Sequence, residues 1–503
     1  MAIARFPRTV GFVRKAVLLA AVLAAATAAL VARSGSEAST AAATAAPTYY
    51  RNVAPILDAK CASCHRLGGI APFALTTAAD AKAHADGIVR LAKAGLMPPW
   101  MPGADSAAII GRDLRRLTPT ELSTLARWSD AGAPAGAPAD RRSKPSPGAG
   151  LSGPGRTITL MPPKAYTPHA AGGGIDDYHC FLLDPKLKQD AFVTAALIRP
   201  QRTGVVHHVI LYEAAGSQTA AATELNAAHG GQGWSCFGGP NLPIDVGAQG
   251  AFDRLGQPPW IAAWVPGHTT NALPRGTGVL LHKGAKIVMQ VHYNLIEASG
   301  PDRSSAQLRL RPASTNLIPL ETHLVAAPVE LPCPDGVSGP QCNRQQAIQD
   351  EVTKYGAENA FIPAALLRIC GKTLADYPQS VGAGTKISTS CDRAFSSKQT
   401  IYGVAGHMHL RGQDISIVLD PGTAKEQTLL HIPAWVFHWQ DVYYLEHPVS
   451  VGPGDTVRVT CRFDNSTADQ PVIGSKPLTP RYVLWGEGTT DEMCLGMLSV
   501  ANG

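Results

Sequence analysis

From residue 156 onward, apolar and polar residues alternate in short runs bounded by glycine and proline. Residues 205–212, 287–294, 400–404 and 415–419 are such runs, rich in β-branched and aromatic side chains. These residues suit a pleated, half-buried surface, and many short strands between turn signals predict β-sandwiches. Helical spacing is scarce in this region apart from residues 345–354. Ahead of residue 156 the pattern differs. Residues 53–57, 80–94 and 118–130 recur with helical spacing, so a small all-α unit is expected there. The expected fold class is mainly β, preceded by an all-α unit.

Between these regions, residues 131–155 are rich in Ala, Pro, Gly and Ser and read as a linker. At the amino terminus Arg5, Arg8, Arg14 and Lys15 precede an Ala/Leu-rich apolar run from Ala16 to about Ala32. This is the layout of a secretory signal, and its length also approaches a short membrane anchor. The expected division is therefore residues 1–33 signal peptide or anchor, 34–47 spacer, 48–132 helical unit, 133–155 linker, then 156–316 and 317–503 as two β-domains. Export to the periplasm or the extracellular space follows, with membrane contact only if the first segment is retained.

Composition narrows the picture. At 503 residues with 45% hydrophobic content, the chain can build several real cores. A net charge of +6 is mild, and the basic residues are scattered apart from the amino terminus and Arg141-Arg142, so nucleic acid is not a partner.

Candidate chemistry begins with Cys61-Ala62-Ser63-Cys64-His65, a c-type haem attachment signature. The two thiols would carry one haem c through thioethers and His65 would ligate its iron. A bare CxxC also suits a redox pair or half a zinc site, but the histidine directly after it argues against both. The helical unit then reads as a small cytochrome c. Met97, in an irregular stretch after a helix, is the expected opposite axial ligand, ahead of Met101 and His84.

In the β-region, His407-Met408-His409 lies between strand-like runs. Side chains at i and i+2 share a strand face, so both imidazoles can turn toward one ion. Two surface histidines around a core methionine is the alternative. His207-His208 and His292 lie in further apolar runs, and Met493-Cys494 follows near the end. Adjacent His207 and His208 would point to opposite faces of a regular strand, so one shared ion requires a bulge or twist there.

The ordered set HH, QVHY, HxH and DEMC resembles the copper type II, ascorbate-dependent monooxygenases. So do Leu445-Glu446-His447-Pro448-Val449 and Ala262-Ala263-Trp264-Val265-Pro266-Gly267. The resemblance spans roughly residues 156–503. It implies two jelly-roll-like β-sandwich domains and two copper ions, one held by His207, His208 and His292 for electron transfer. The other, oxygen-binding copper would be held by His407, His409 and Met493. It also implies disulfides Cys180–Cys236 and Cys461–Cys494. Cys391 matches a family cysteine whose usual partner lies beyond this chain; its simplest partner here is Cys370, leaving Cys333 with Cys342. A four-cysteine zinc site has poor spacing for these residues.

The implied activity is hydroxylation of a substrate C–H bond with O2 and an electron donor, ascorbate or a redox protein. Peptidylglycine enzymes of that family hold a peptide carboxylate with three residues whose positions here are Ala405, Leu495 and Met497. A small apolar organic substrate is expected instead. The fused haem is expected to feed the His207/His208/His292 copper across the linker, and Gln290 to order water between the two sites. The alternative function is a non-catalytic haem/copper electron-transfer or copper-binding protein.

Overall fold

The computed structural model describes residues 46–67, 71–112, 116–142, 151–170, 174–243, 259–265, 271–296 and 299–503. The expected signal segment and nearly all of the spacer lie outside them. Residues 48–503 form one compact unit.

The amino-terminal part is helical, with α1 (Ala54–Lys60), α2 (Ala78–Ala83), α3 (Ala85–Lys93) and α4 (Pro119–Asp130). The single helix expected over 80–94 is two, because His84 adopts φ −115° and ψ 12°, outside helical geometry. A Thr118/Glu121 capping box and Pro119 in the first turn start α4. Tyr49, Leu57, Leu125 and Trp128 are almost wholly buried between these helices. The stretch expected to be a linker folds back at its start. Trp128 Nε1 donates to Pro134 O, Tyr49 N donates to the same carbonyl, and Arg141 pairs with Asp58 at 2.8 Å.

Two β-sandwiches follow. In the first, a five-stranded sheet contains β1 (Asp176–Leu183), β2 (Val206–Ala214) and β3 (Lys286–Asn294), with β3 central between the other two. It packs on a six-stranded sheet through a core that includes Val193, Leu211, Met289 and Leu308. In the second sandwich, β4 (Gln399–His407), β6 (Tyr443–Val451) and β8 (Cys494–Asn502) share one four-stranded sheet. β5 (Gly412–Leu419) and β7 (Thr456–Phe463) lie in the other. Alternate residues of β7 (Val457, Val459, Cys461, Phe463) are fully buried, the period-2 signature of a one-sided sheet. Each such apolar side chain contributes about 2 kcal/mol through burial. Cys461–Cys494 ties the two sheets together.

All four expected disulfides are present: Cys180–Cys236, Cys333–Cys342, Cys370–Cys391 and Cys461–Cys494. Four bridges mark an oxidising compartment, and so an exported protein. Among the described residues no helix is long and apolar enough to cross a membrane.

Among the described residues, the α-helices within the β-region are α5 (Ser217–Ala228), α6 (Arg344–Tyr355) and α7 (Ile362–Ile369). Only α6 is expected from spacing. α5 is Ala-rich without a clear apolar stripe, and α7 is too short to show a period.

A strap, residues 97–112, fastens the helical unit to the second sandwich. Ile109 bridges Leu445 of β6, with Ile110 N donating to Tyr444 O at 2.8 Å and Glu446 N to Ala108 O at 2.8 Å. Ile109 is 3% exposed in the core of this sandwich, and Trp100 meets Tyr443 edge-on at 5.7 Å. The strap thus adds main-chain pairing to an edge strand.

Candidate metal centres

β2 and β3 pair directly, which sets His208 opposite His292. The ladder slips register between Val206 and His208. This is the irregularity that two adjacent histidines need to face one point, and it matches the expected bulge. His207 Nδ1 lies 3.2 Å from His292 Nδ1, which lies 3.4 Å from His208 Nδ1. The three residues offer ligand atoms all within 4.8 Å of one another.

The surroundings fix which nitrogens converge. His292 Nε2 donates to Asp176 Oδ1 at 2.9 Å, so its Nδ1 carries the lone pair. Tyr178 stacks on the same ring at 4.0 Å. His207 stacks on Phe437 at 4.5 Å. Burial holds His207 and His208 well below the ordinary histidine range, with further lowering from His292. They are neutral near pH 7, the state a metal ligand requires. Neutral imidazoles pointing lone pairs at one spot repel unless a cation sits between them. The donor set fits a cation that accepts imidazole, such as copper.

The second cluster lies where β4 turns toward β5. His407 ends β4, and its ring centroid is 5.0 Å from that of His409. Met408 between them is fully buried in the sandwich core, as alternation demands. Gly406 is needed here because a Cβ would sit 2.9 Å from Ile415 Cδ1. His407 Nδ1 donates to Gln440 Oε1 at 2.6 Å, and His409 Nδ1 to the carbonyl of Asp491 at 3.2 Å. Both Nε2 atoms are thereby left as acceptors. Burial pushes His407 down to about 4 and His409 to about 3. The loop before Met493 is pinned by Glu492, whose carboxylate accepts from the backbone N–H of His409 and of Arg411.

One cavity of about 440 Å³ joins the clusters, lined by His208, His407, His409 and Met493. Its walls are otherwise largely apolar, with Trp260, Trp264, Leu324, Ile362 and Leu366 among them. Ala405, Leu495 and Met497 also line it. Gln290 reaches the cavity, but its amide is committed: Nε2 donates to Cys236 O at 2.8 Å, and Oε1 accepts from Tyr212 at 3.4 Å. Glu487 lines it as well, its carboxyl raised to about 7 by burial and by Asp491.

In the helical unit, neither Cys61 nor Cys64 is part of a disulfide. His65 Nδ1 meets the carbonyl of Phe73 at 3.2 Å, which leaves Nε2 for another partner. Met97 is 40% exposed. Of its competitors, Met101 packs against the second sandwich core, and His84 stacks on Phe73 at 3.8 Å.

Sequence reasoning missed Asp176, Gln440, the Asp491 carbonyl and Phe437. Asp176, Tyr178 and Cys180 alternate on one face of β1, a period-2 signal that could have flagged the first. Nothing local marks Gln440, which reaches His407 from 33 residues away.

No curated protein matches the chain. Similar solved structures include the coconut allergen cocosin, at 6% identity and TM-score 0.11, covering 69% of this chain and 86% of that one. A Paenibacillus xanthan lyase is 11% identical with TM-score 0.15, covering 69% of this chain and 25% of that one. Pumpkin seed globulin is 9% identical with TM-score 0.12, covering 69% and 85%. TM-scores this low carry no argument about fold or function. Residues 378–499, which hold His407, His409 and Met493, match the family model of the copper type II ascorbate-dependent monooxygenase C-terminal domain.

Proposed function

We propose that the protein hydroxylates a C–H bond of a small, apolar organic substrate, with electrons relayed by its own c-type haem. The net reaction is RH + O2 + 2 electrons + 2 H⁺ giving ROH + H2O. The observation that carries this reading is the apolar cavity lined by His208 of one cluster and by His407, His409 and Met493 of the other.

His207, His208 and His292 would hold one copper through Nδ1, and His407, His409 and Met493 the other. Copper at these sites supplies one-electron chemistry and activation of O2. Three imidazoles accommodate both oxidation states, whereas the thioether of Met493 favours the reduced one. The chain's own contribution is positional. Asp176, Gln440 and the Asp491 carbonyl fix the tautomers of His292, His407 and His409, and hydrogen-bond partners behind such imidazoles commonly change metal affinity about 10–100-fold. The apolar walls bind substrate and exclude water from the space between the centres. Ala405, Leu495 and Met497 offer no charge for a carboxylate, so peptide amidation is not the reaction.

Cys61, Cys64 and His65 would carry the haem, with Met97 as the opposite ligand. Two cysteines outside the four disulfides and a His65 whose Nδ1 is already engaged suit that attachment. The strap supports a relay because it keeps the helical unit against the second sandwich. An oxygen-uptake screen over small apolar and aromatic compounds tests the function, with metal analysis in parallel. Substrate-dependent uptake that disappears on copper removal is the expected result; a copper-loaded protein inert to the whole screen counts against it.

A further inference from the structure

One carboxylate joins the two histidine clusters. Asp176, on β1 of the first sandwich, accepts from His292 Nε2 at 2.9 Å. It also accepts from Thr489 N at 2.8 Å and Thr489 Oγ1 at 2.6 Å, in a loop of the second sandwich. Asn294 adds a longer contact at 3.4 Å and also donates to Thr489 Oγ1 at 3.0 Å. The neighbouring Tyr178, stacked on His292, donates to the carbonyl of Glu487 at 2.8 Å. So the two groups that orient His292 also grip residues 487–489. That loop continues to the Asp491 carbonyl, which orients His409, and to Met493. The side chain of Asp176 is 7% exposed, so water cannot readily replace these partners.

We propose that the Asp176–Thr489 link couples the two centres, so that metal bound at either one raises the affinity of the other. A metal on His292 Nδ1 fixes that ring, makes its Nε2–H a stronger donor, and tightens Asp176. A tightened Asp176 orders the 487–493 loop before Met493 and His409 are used. The ordering is then already in place when the second ion binds. Linkage makes the effect reciprocal, and couplings of this kind amount to roughly tenfold in affinity. The proposal rests on the copper reading of the two clusters. Asp176 and Thr489 are positioning residues, since neither needs to touch a metal.

The test is anaerobic Cu(I) titration against a chromophoric chelator, with copper–sulfur scattering in X-ray absorption reporting the Met493 centre. The affinity of that centre is compared between the intact chain and a His292→Ala chain whose first centre is disabled. The expected ratio is about tenfold. It should fall toward one when both chains also carry Thr489→Val, and further with Asp176→Asn. Thermal unfolding of the metal-free variants checks that they fold. A merely structural role lowers affinity in both backgrounds and leaves the ratio standing. A ratio of one in the unmodified pair, or one that neither substitution moves, overturns the coupling. A chain that binds two coppers with copper–sulfur scattering and an unmoved ratio loses only this inference. A chain that takes up no copper loses the copper reading too.

Discussion

Arg411, two residues beyond His409, is fully buried and shows how the second cluster is held. Its Nε donates to Asn465 Oδ1 at 2.8 Å, its Nη1 to Thr490 O at 2.8 Å, and its Nη2 to Gln470 Oε1 at 3.4 Å. Its backbone N–H donates to Glu492. The guanidinium therefore braces the Thr490–Met493 loop from below. Removing the guanidinium takes away a donor from the buried oxygens of Asn465, Gln470 and Thr490. At about 1–3 kcal/mol for each buried polar group left unpaired, Arg411→Met should cost several kcal/mol of stability, read as a loss in denaturant midpoint. Copper at the Met493 centre should fall before copper at the three-histidine centre. Equal loss at both centres would mean that Arg411 supports the whole sandwich rather than this loop.

The strap contains a titratable clamp at the scale of elements. His431 is flanked by Asp105 of the strap, at 2.6 Å from Nδ1, and by Asp414 of β5, at 3.0 Å from Nε2. Arg462 also reaches Asp414, at 3.4 Å. Burial alone would lower the pKa of His431, but hydrogen bonds to Asp414 and Asp105 outweigh it and raise the value above the ordinary 6.5. A raised folded-state pKa means that the clamp stabilises fully below the unfolded value. Its contribution is lost as pH rises through the folded value. Amide exchange at Gly103 and Ser106 should therefore quicken, relative to the global rate, as pH climbs from 6 into the alkaline range. His431→Gln should remove most of that pH dependence after correction for intrinsic exchange. An unchanged profile in the variant would show that backbone pairing at Ile109 alone holds the strap.

For the whole molecule, the strap changes how the helical unit connects to the rest. The sequence suggested a unit tethered by residues 131–155 and feeding the His207/His208/His292 centre. The fold seats it on the second sandwich through Trp100, Ile109 and Gly103, while residues 133–142 fold back onto the helices. A Cys61→Ala, Cys64→Ala protein should lose turnover driven by a haem-directed reductant and keep turnover driven by ascorbate. If both survive unchanged, the helical unit plays no part in electron delivery. Much of this organisation was legible in the sequence. His292, His407 and His409 lie in short apolar runs whose period of two sets the face each imidazole takes, whereas adjacent His207 and His208 converge only through the register slip between Val206 and His208. The strap was not legible, because Pro98, Pro99 and Pro102 suppress any strand pattern and its pairing partner lies more than 300 residues away. Gln440 was hidden too, because tertiary contact alone gives it a role. Copper K-edge X-ray absorption on the fully reduced protein, with metal analysis, decides whether two metal centres of different composition face one cavity. Two coppers per chain are expected, with copper–sulfur scattering that disappears in Met493→Ala while the three-histidine copper stays bound. A single copper, or copper–sulfur scattering that persists without Met493, would contradict that arrangement.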